Sequence, residues 1–495
     1  MKISIFPVRL TVLLVLLCVA LTMAASAQTF TSVADLDGAN GEEPLQNPLV
    51  QGIDGNFYGT TFTGGAFGQG TVYRVASDGT ISLVYSFCSL ARCADGAQPF
   101  SPLVLGADGN FYGTTAGGGG DQKAGTFFRL TPGGTLTTLH NFCAQSDCQD
   151  GSLPRGAMVL ALDGNFYGVT GYGGIAGLGT IFKITSTGAL TRLYSFCSQS
   201  NCTDGSNPFV GLIQARDGSF YGTAGGGTTG NGVLFRFTPT GQFKTLYNFC
   251  TSGDCSEGGL PYGPLVVTAS GDIYGTAAAG GVGVTYAGGT VFGLTTAGAF
   301  GLNVIHNFCR LTNCDDGEFP QGGLILATDG KLYGSTSEGG FNGKGTLFRM
   351  TPAGAFDRLH SFDSSDGAYP QSALVQSTDG TFYGTTSNGG PTDRTRCFNG
   401  GPPFGCGTVF RESLGLKPFI KSVQPGATAG TSIIILGNGL TGSTSLKFNG
   451  TTAAFTVVSD TEITASVPAG ATTGTIQVVT PSATLTSNTA FHVLP

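Results

Sequence analysis

The motif Asp-Gly-x-Phe-Tyr-Gly, intact or degraded, returns seven times along the chain. Its tyrosines are Tyr58, Tyr112, Tyr167, Tyr221, Tyr274, Tyr333 and Tyr383. A period of about 54 residues points to propeller blades or solenoid units, since one such unit cannot bury its own apolar faces. The second copy shows the pattern within a unit. Pro102 to Leu105 reads as a short strand, and Asp108-Gly109 as a two-residue hairpin turn. Asn110 to Thr115 is the return strand, followed by a loop from Gly117 to Gly120. Gly125 to Leu130 and Leu136 to Phe142 supply the third and fourth strands, joined by a turn at Thr131 to Gly134. With 83 Gly and 22 Pro among 495 residues, about a fifth of the chain disfavours helix interiors. The expected fold is all-β, a seven-bladed β-propeller of four-stranded blades.

The seventh unit runs through Thr408-Val409-Phe410-Arg411 and then loses the pattern, so its fourth strand is missing. Phe30 to Leu36 aligns without gaps on Phe356 to Phe362, and the register continues from Asn40-Gly41 to Pro44 against Asp366-Gly367 to Pro370. The N-terminal strand is therefore expected to complete the last blade and leave no open sheet edge. From Lys417 onward the composition shifts to Thr, Ser, Ala and Val. Short apolar runs such as Ile433 to Leu436, Leu446 to Phe448 and Ile476 to Val478 read as a small Ig-like β-sandwich. The expected domains are 1–27, a signal peptide; 28–414, the propeller; and 415–495, the sandwich, folding on its own core.

Both parts resemble known families. The Asp-Gly-x-Phe-Tyr-Gly-Thr-Thr run, the Gly-Gly loop and the Gly-Thr-x-Phe-Arg strand are similar to the GloVer tandem repeat of exported bacterial proteins. The tail, with Ile420, Ser422-Val423, Pro425, Ile433 to Gly437 and Val467 to Ala471, resembles an IPT/TIG domain. The resemblance implies export and a propeller-like array, and no established reaction.

Lys2 and Arg9 precede an apolar run from Leu10 to Met23, and Ala25-Ser26-Ala27 offers a cleavage site. Export to the periplasm or the medium is the expectation, with no membrane insertion after signal removal and a monomeric product. Cysteine usage agrees with an oxidising compartment. Beyond Cys18, five pairs share one spacing: Cys88 and Cys93, Cys143 and Cys148, Cys197 and Cys202, Cys250 and Cys255, Cys309 and Cys314. Cys397 and Cys406 make a wider sixth pair. Local disulfides are expected. Zinc is the rival, but it usually takes four Cys or His ligands and no His adjoins any pair. Only 11% of residues are charged, the formal net charge is −7 and no basic cluster occurs, which argues against nucleic acid as a partner.

Candidate chemistry is sparse. His140, His306 and His360 occupy the fourth-strand place that Tyr85, Tyr194 and Tyr247 fill in other units, a structural pattern; His492 lies in the sandwich. Asp95, Asp150, Asp204, Asp316 and Asp366 recur before a glycine between blades. They read as repeated Asp-Gly turns, with a carboxylate ring for a hard cation as the rival. Arg74, Arg129, Lys183, Arg236, Arg349 and Arg411 repeat in the third strand and read as blade-to-blade contacts. No cofactor or metal is assigned.

The loops from Gly280 to Gly289 and from Asn388 to Gly407 depart from the repeat. Their Tyr286, Asp393, Arg394 and Arg396 are the candidate ligand-binding residues, the two arginines meeting an anionic group through paired donors. The favoured function is a non-catalytic binding or scaffold protein for a polysaccharide or a surface protein. The alternative is a secreted polysaccharide-active enzyme, a lyase or glycosidase, which needs two converging carboxyls. Glu257, Glu318 and Glu338 break the repeat but fall in different units, and the chain has no Trp for sugar stacking.

Overall fold

The computed structural model of the protein describes residues 28–282, 288–295, 301–390, 397 and 405–495. Within them the chain is almost entirely β, with only single turns of 3₁₀ helix. Each repeat forms one four-stranded antiparallel sheet in simple meander order. The first comprises Val50–Gln51, Phe57–Thr61, Thr71–Val75 and Ile81–Ser86. Six such sheets come from consecutive sequence, and a seventh joins Val375–Gln376, Phe382–Thr386 and Thr408–Ser413 to the N-terminal strand Thr29–Asp35. These are propeller-like blades.

The N-terminal strand is a genuine fourth strand. It pairs antiparallel with Thr408–Ser413, with a bulge between Ser32 and Ala34. The other fourth strands carry a bulge at the same place, as between Ile181 and Phe182 on their partner strand. Phe30 stacks on His360 at 3.7 Å, so the closing strand packs on the preceding sheet.

Seven apolar clusters each span two successive sheets. One of them joins first to last, bringing Leu49, Phe57 and Tyr73 against Tyr383 and Val409. Sheets buried on both faces explain why second strands such as Phe111–Thr115 are buried at every position. Two glycine positions make this packing possible. The motif glycine lies under a third-strand ring: a Cβ on Gly113 would stand 2.5 Å from Phe128 Cζ. The glycine opening the third strand, such as Gly125 at φ +100°, abuts the proline of the next unit, here Pro154. Gly407, at φ +103°, abuts Pro44, so the same contact closes the last unit onto the first.

Residues from Lys421 onward build two further four-stranded sheets around Ile433, Ile435, Phe448, Ile463 and Val478. This tail has its own core, as expected, yet it is also seated on the propeller-like body. Leu436, Ile434 and Val423 pack with Leu105 and Phe111. Thr461 Oγ1 donates to the Ile53 carbonyl at 2.7 Å, and Asn438 Nδ2 to Thr378 Oγ1 at 2.7 Å. The contacts fall on the Asp-Gly hairpins. Among the described residues no helix is long and apolar enough to cross a membrane.

Candidate functional site

The repeated motif is a local clamp. Asp54 accepts from the Asn56 backbone N–H at 3.2 Å and from the Tyr58 hydroxyl at 2.9 Å. Asp108 with Tyr112, Asp163 with Tyr167 and Asp329 with Tyr333 repeat the carboxylate–phenol bond. The third-strand cations sit directly across the ladder from these tyrosines. Lys183 Nζ lies 2.7 Å from Asp163, and Arg236 lies 2.9 Å from Asp217, each within its own sheet. The expected blade-to-blade role is therefore corrected for Lys183, Arg236 and Arg349, whose ion pairs all lie within their own blade.

All six cysteine pairs are disulfides, each between neighbours in the sequence. Cys88 is bonded to Cys93, Cys143 to Cys148, and Cys197 to Cys202. Cys250 is bonded to Cys255, Cys309 to Cys314, and Cys397 to Cys406. The first five staple the loop that leaves a fourth strand. Cys406 differs: it is buried and packs in the apolar cluster that joins the last sheet to the first.

Each loop carboxylate turns into its own loop. Asp204, fully buried, accepts from the Ser198 and Gln199 N–H groups at 2.9 and 3.3 Å and from the Tyr194 hydroxyl at 2.6 Å. Asp95 repeats this with Ser89, Leu90 and Tyr85. Glu257 fills the same role, accepting from the Ser252 N–H at 3.2 Å. The Tyr/His exchange now has a reason. His140 stands 3.4 Å from Asp150, His306 3.3 Å from Asp316 and His360 2.7 Å from Asp366, so both residue types serve the same carboxylate. Burial holds His140 below its ordinary pKa. The substitution Asp204→Ala removes the acceptor of two backbone N–H groups and one of the two partners of the half-buried Tyr194 hydroxyl, and is expected to cost about 3 kcal/mol of stability, read from denaturant melts.

Glu318 and Glu338, placed apart in the sequence reading, are paired across a β-bridge, with backbone bonds of 2.8 and 3.0 Å. Partial burial, then the Glu338 charge, raises the Glu318 pKa. Tyr286, Asp393, Arg394 and Arg396 lie outside the described residues.

What the sequence reading missed is the centre of the array. In every inner strand one β-branched residue pairs with the motif tyrosine: Val50, Val104, Val159, Ile213, Val266, Ile325 and Val375. All seven are half-buried. The last five line a cavity of about 670 Å³, a size ordinary for small-molecule sites. The only signal available was this apolar position's recurrence, which any strand core would also produce.

The two ends of the cavity differ. On the blade-to-blade side the residue after the repeat proline faces it: Phe100, Arg155, Phe209, Tyr262 and Gln371. The Arg155 guanidinium lies 5.2 Å from the Phe100 ring centre and 5.7 Å from that of Phe209. Its Nε is buried without a hydrogen-bond partner. The hairpin side is covered by the tail, which contributes Lys421, Asn488 and Thr489 to the lining. Lys421 lines this cavity, and desolvation there lowers its pKa. Among the described residues no Asp or Glu lines the cavity.

A β-repeat array of propeller-like blades around a channel capped at one end is the class that fold and site define. The chain belongs to the Gloeobacter/Verrucomicrobia repeat family, whose model matches residues 19–212, 197–398 and 253–457. No curated protein matches it. Among solved structures it is similar to hydrazine synthase of Kuenenia stuttgartiensis, at 14% identity and TM-score 0.46, covering 69% of this chain and 93% of that one. A puromycin-hydrolysing peptidase of Mycobacterium tuberculosis gives 14% and 0.45, over 81% and 60%. A luciferin-regenerating enzyme gives 12% and 0.40, over 64% and 92%.

Proposed function

We propose that the protein is an exported, non-catalytic binding protein: a signal peptide over 1–27, a seven-bladed β-propeller over 28–414 and an IPT/TIG Ig-like domain over 415–495. Its binding site is the central channel, and the Ig-like domain is the floor of that channel. The observation that carries this reading is the apolar cavity of about 670 Å³ closed at one end by Lys421, Asn488 and Thr489. A blind apolar channel suits a small molecule with an apolar body better than a glycan, whose hydroxyls would lack partners there. Six disulfides fit an oxidising compartment.

The test uses the neutral fluorescent probe N-phenyl-1-naphthylamine with the full chain. Its emission should rise on binding at one site per chain, and Val159→Trp, which fills the channel, should abolish the rise with the fold intact. Unchanged binding in that variant would remove the channel from consideration. The rival enzyme reading draws on the Glu318–Glu338 pair. Product release from a polysaccharide panel, lost in Glu318→Gln, would replace the binding reading with it.

A further inference from the structure

Resting on the channel reading, we propose that the ligand is an organic acid with an apolar body, its carboxylate paired with Lys421 at the channel floor and its body along the inner-strand ring. Three observations converge on it. The channel wall is apolar, so the body of the ligand gains by leaving water. Its charged lining residues are both cations, Arg155 at the mouth and Lys421 at the floor, and no carboxylate among the described residues lines it. In a chain of net charge −7 that is a local reversal of sign.

Among the described residues Lys421 has no ion-pair partner. A smaller adjoining cavity that Lys421 also lines includes Gln51, Leu105, Met158 and Leu436, none of them acidic. Desolvation lowers its pKa. A carboxylic acid supplies the missing counter-charge. The carboxylate and the Lys421 ammonium together add no net charge to the apolar channel. Arg155, held between two aromatic faces at the open end, draws the anion in.

The experiment is calorimetric titration of the full chain with decanoic acid, decanol and decylamine. Decanoate should bind one per chain, at least tenfold more tightly than decanol, with decylamine weakest. Lys421→Met should bring decanoate down to the decanol level and leave decanol within about twofold. Arg155→Gln should slow decanoate association, and Lys447→Met, on the exposed face of the tail, should change nothing. Circular dichroism checks that each variant is folded. Equal binding of acid and alcohol, or undiminished decanoate binding in Lys421→Met, overturns the carboxylate assignment while the channel reading stands. Failure of all three ligands, together with no probe binding, overturns both.

Discussion

Deleting residues 28–36 is expected to cost the protein about 5 kcal/mol and its monomeric state. The strand Thr29–Asp35 supplies the whole outer ladder of the closing sheet, from Thr29 opposite Ser413 to Asp35 opposite Thr408. Phe30, Val33 and Leu36 are its inward side chains, packed on Phe362, Phe410, Tyr73 and Tyr383. Losing three partly or fully buried apolar side chains accounts for the estimate at about 1.5–2 kcal/mol each. The second effect is the edge. Thr408–Ser413 would present unpaired N–H and C=O groups to solvent, a template for pairing with another chain. Thermal melting and size-exclusion chromatography check both consequences. An unchanged melting temperature in a monomeric deletion variant would remove the role of closure.

A second large effect lies beside that strand and depends on pH. Third strands end their buried stretch with an apolar side chain: Val75, Leu130, Ile184, Phe237, Leu294 and Met350. In the closing sheet Glu412 holds this position, opposite Phe382 and Phe30. It is 1% exposed, and among the described residues neither carboxyl oxygen has a hydrogen-bond partner of good geometry. Burial pushes its pKa up to about 7, against a smaller pull downward from His360 and Gln28. Between pH 4.5 and about 7 the folded state keeps a proton that the unfolded state has released. Stability therefore falls as pH rises through that window and levels off above it. The penalty at pH 8 approaches about 3 kcal/mol. Glu412→Gln should leave the melting temperature nearly unchanged at pH 4.5 and raise it at pH 8. Parallel pH profiles for the two proteins would show that Glu412 is not the group responsible.

How much was readable in advance follows the range of the interactions concerned. The blade pattern, the local disulfides and the return of the N-terminal strand were legible because each is carried by a repeated local signal. Asp108-Gly109 makes its turn, Cys88 meets Cys93 and Phe30 to Leu36 copies Phe356 to Phe362 within or between identical units. The Tyr/His exchange was visible as a pattern but not as a mechanism. Its common partner, the loop carboxylate, is defined by hydrogen bonds and not by spacing. The third-strand cations were assigned to the wrong neighbour for a similar reason. Periodicity shows that Arg236 recurs, while only register shows it across from Tyr221 and beside Asp217.

The candidate site belonged to neither kind of signal. In sequence, Lys421 is one basic residue among 23 Lys and Arg, near the start of the tail. Val159 or Val375 looks like any strand residue. What the sequence by itself determined is the repeating unit, its staples and its closure, since these are built from contacts near in sequence or copied at a fixed period. What only the tertiary structure decided is the channel, its cationic floor and the buried Glu412. Each arises where surfaces distant in sequence are pressed together: seven inner strands around an axis, the tail across the hairpins, and the first strand against the last. The burial and charge of such groups are set by that packing, and no local pattern encodes them.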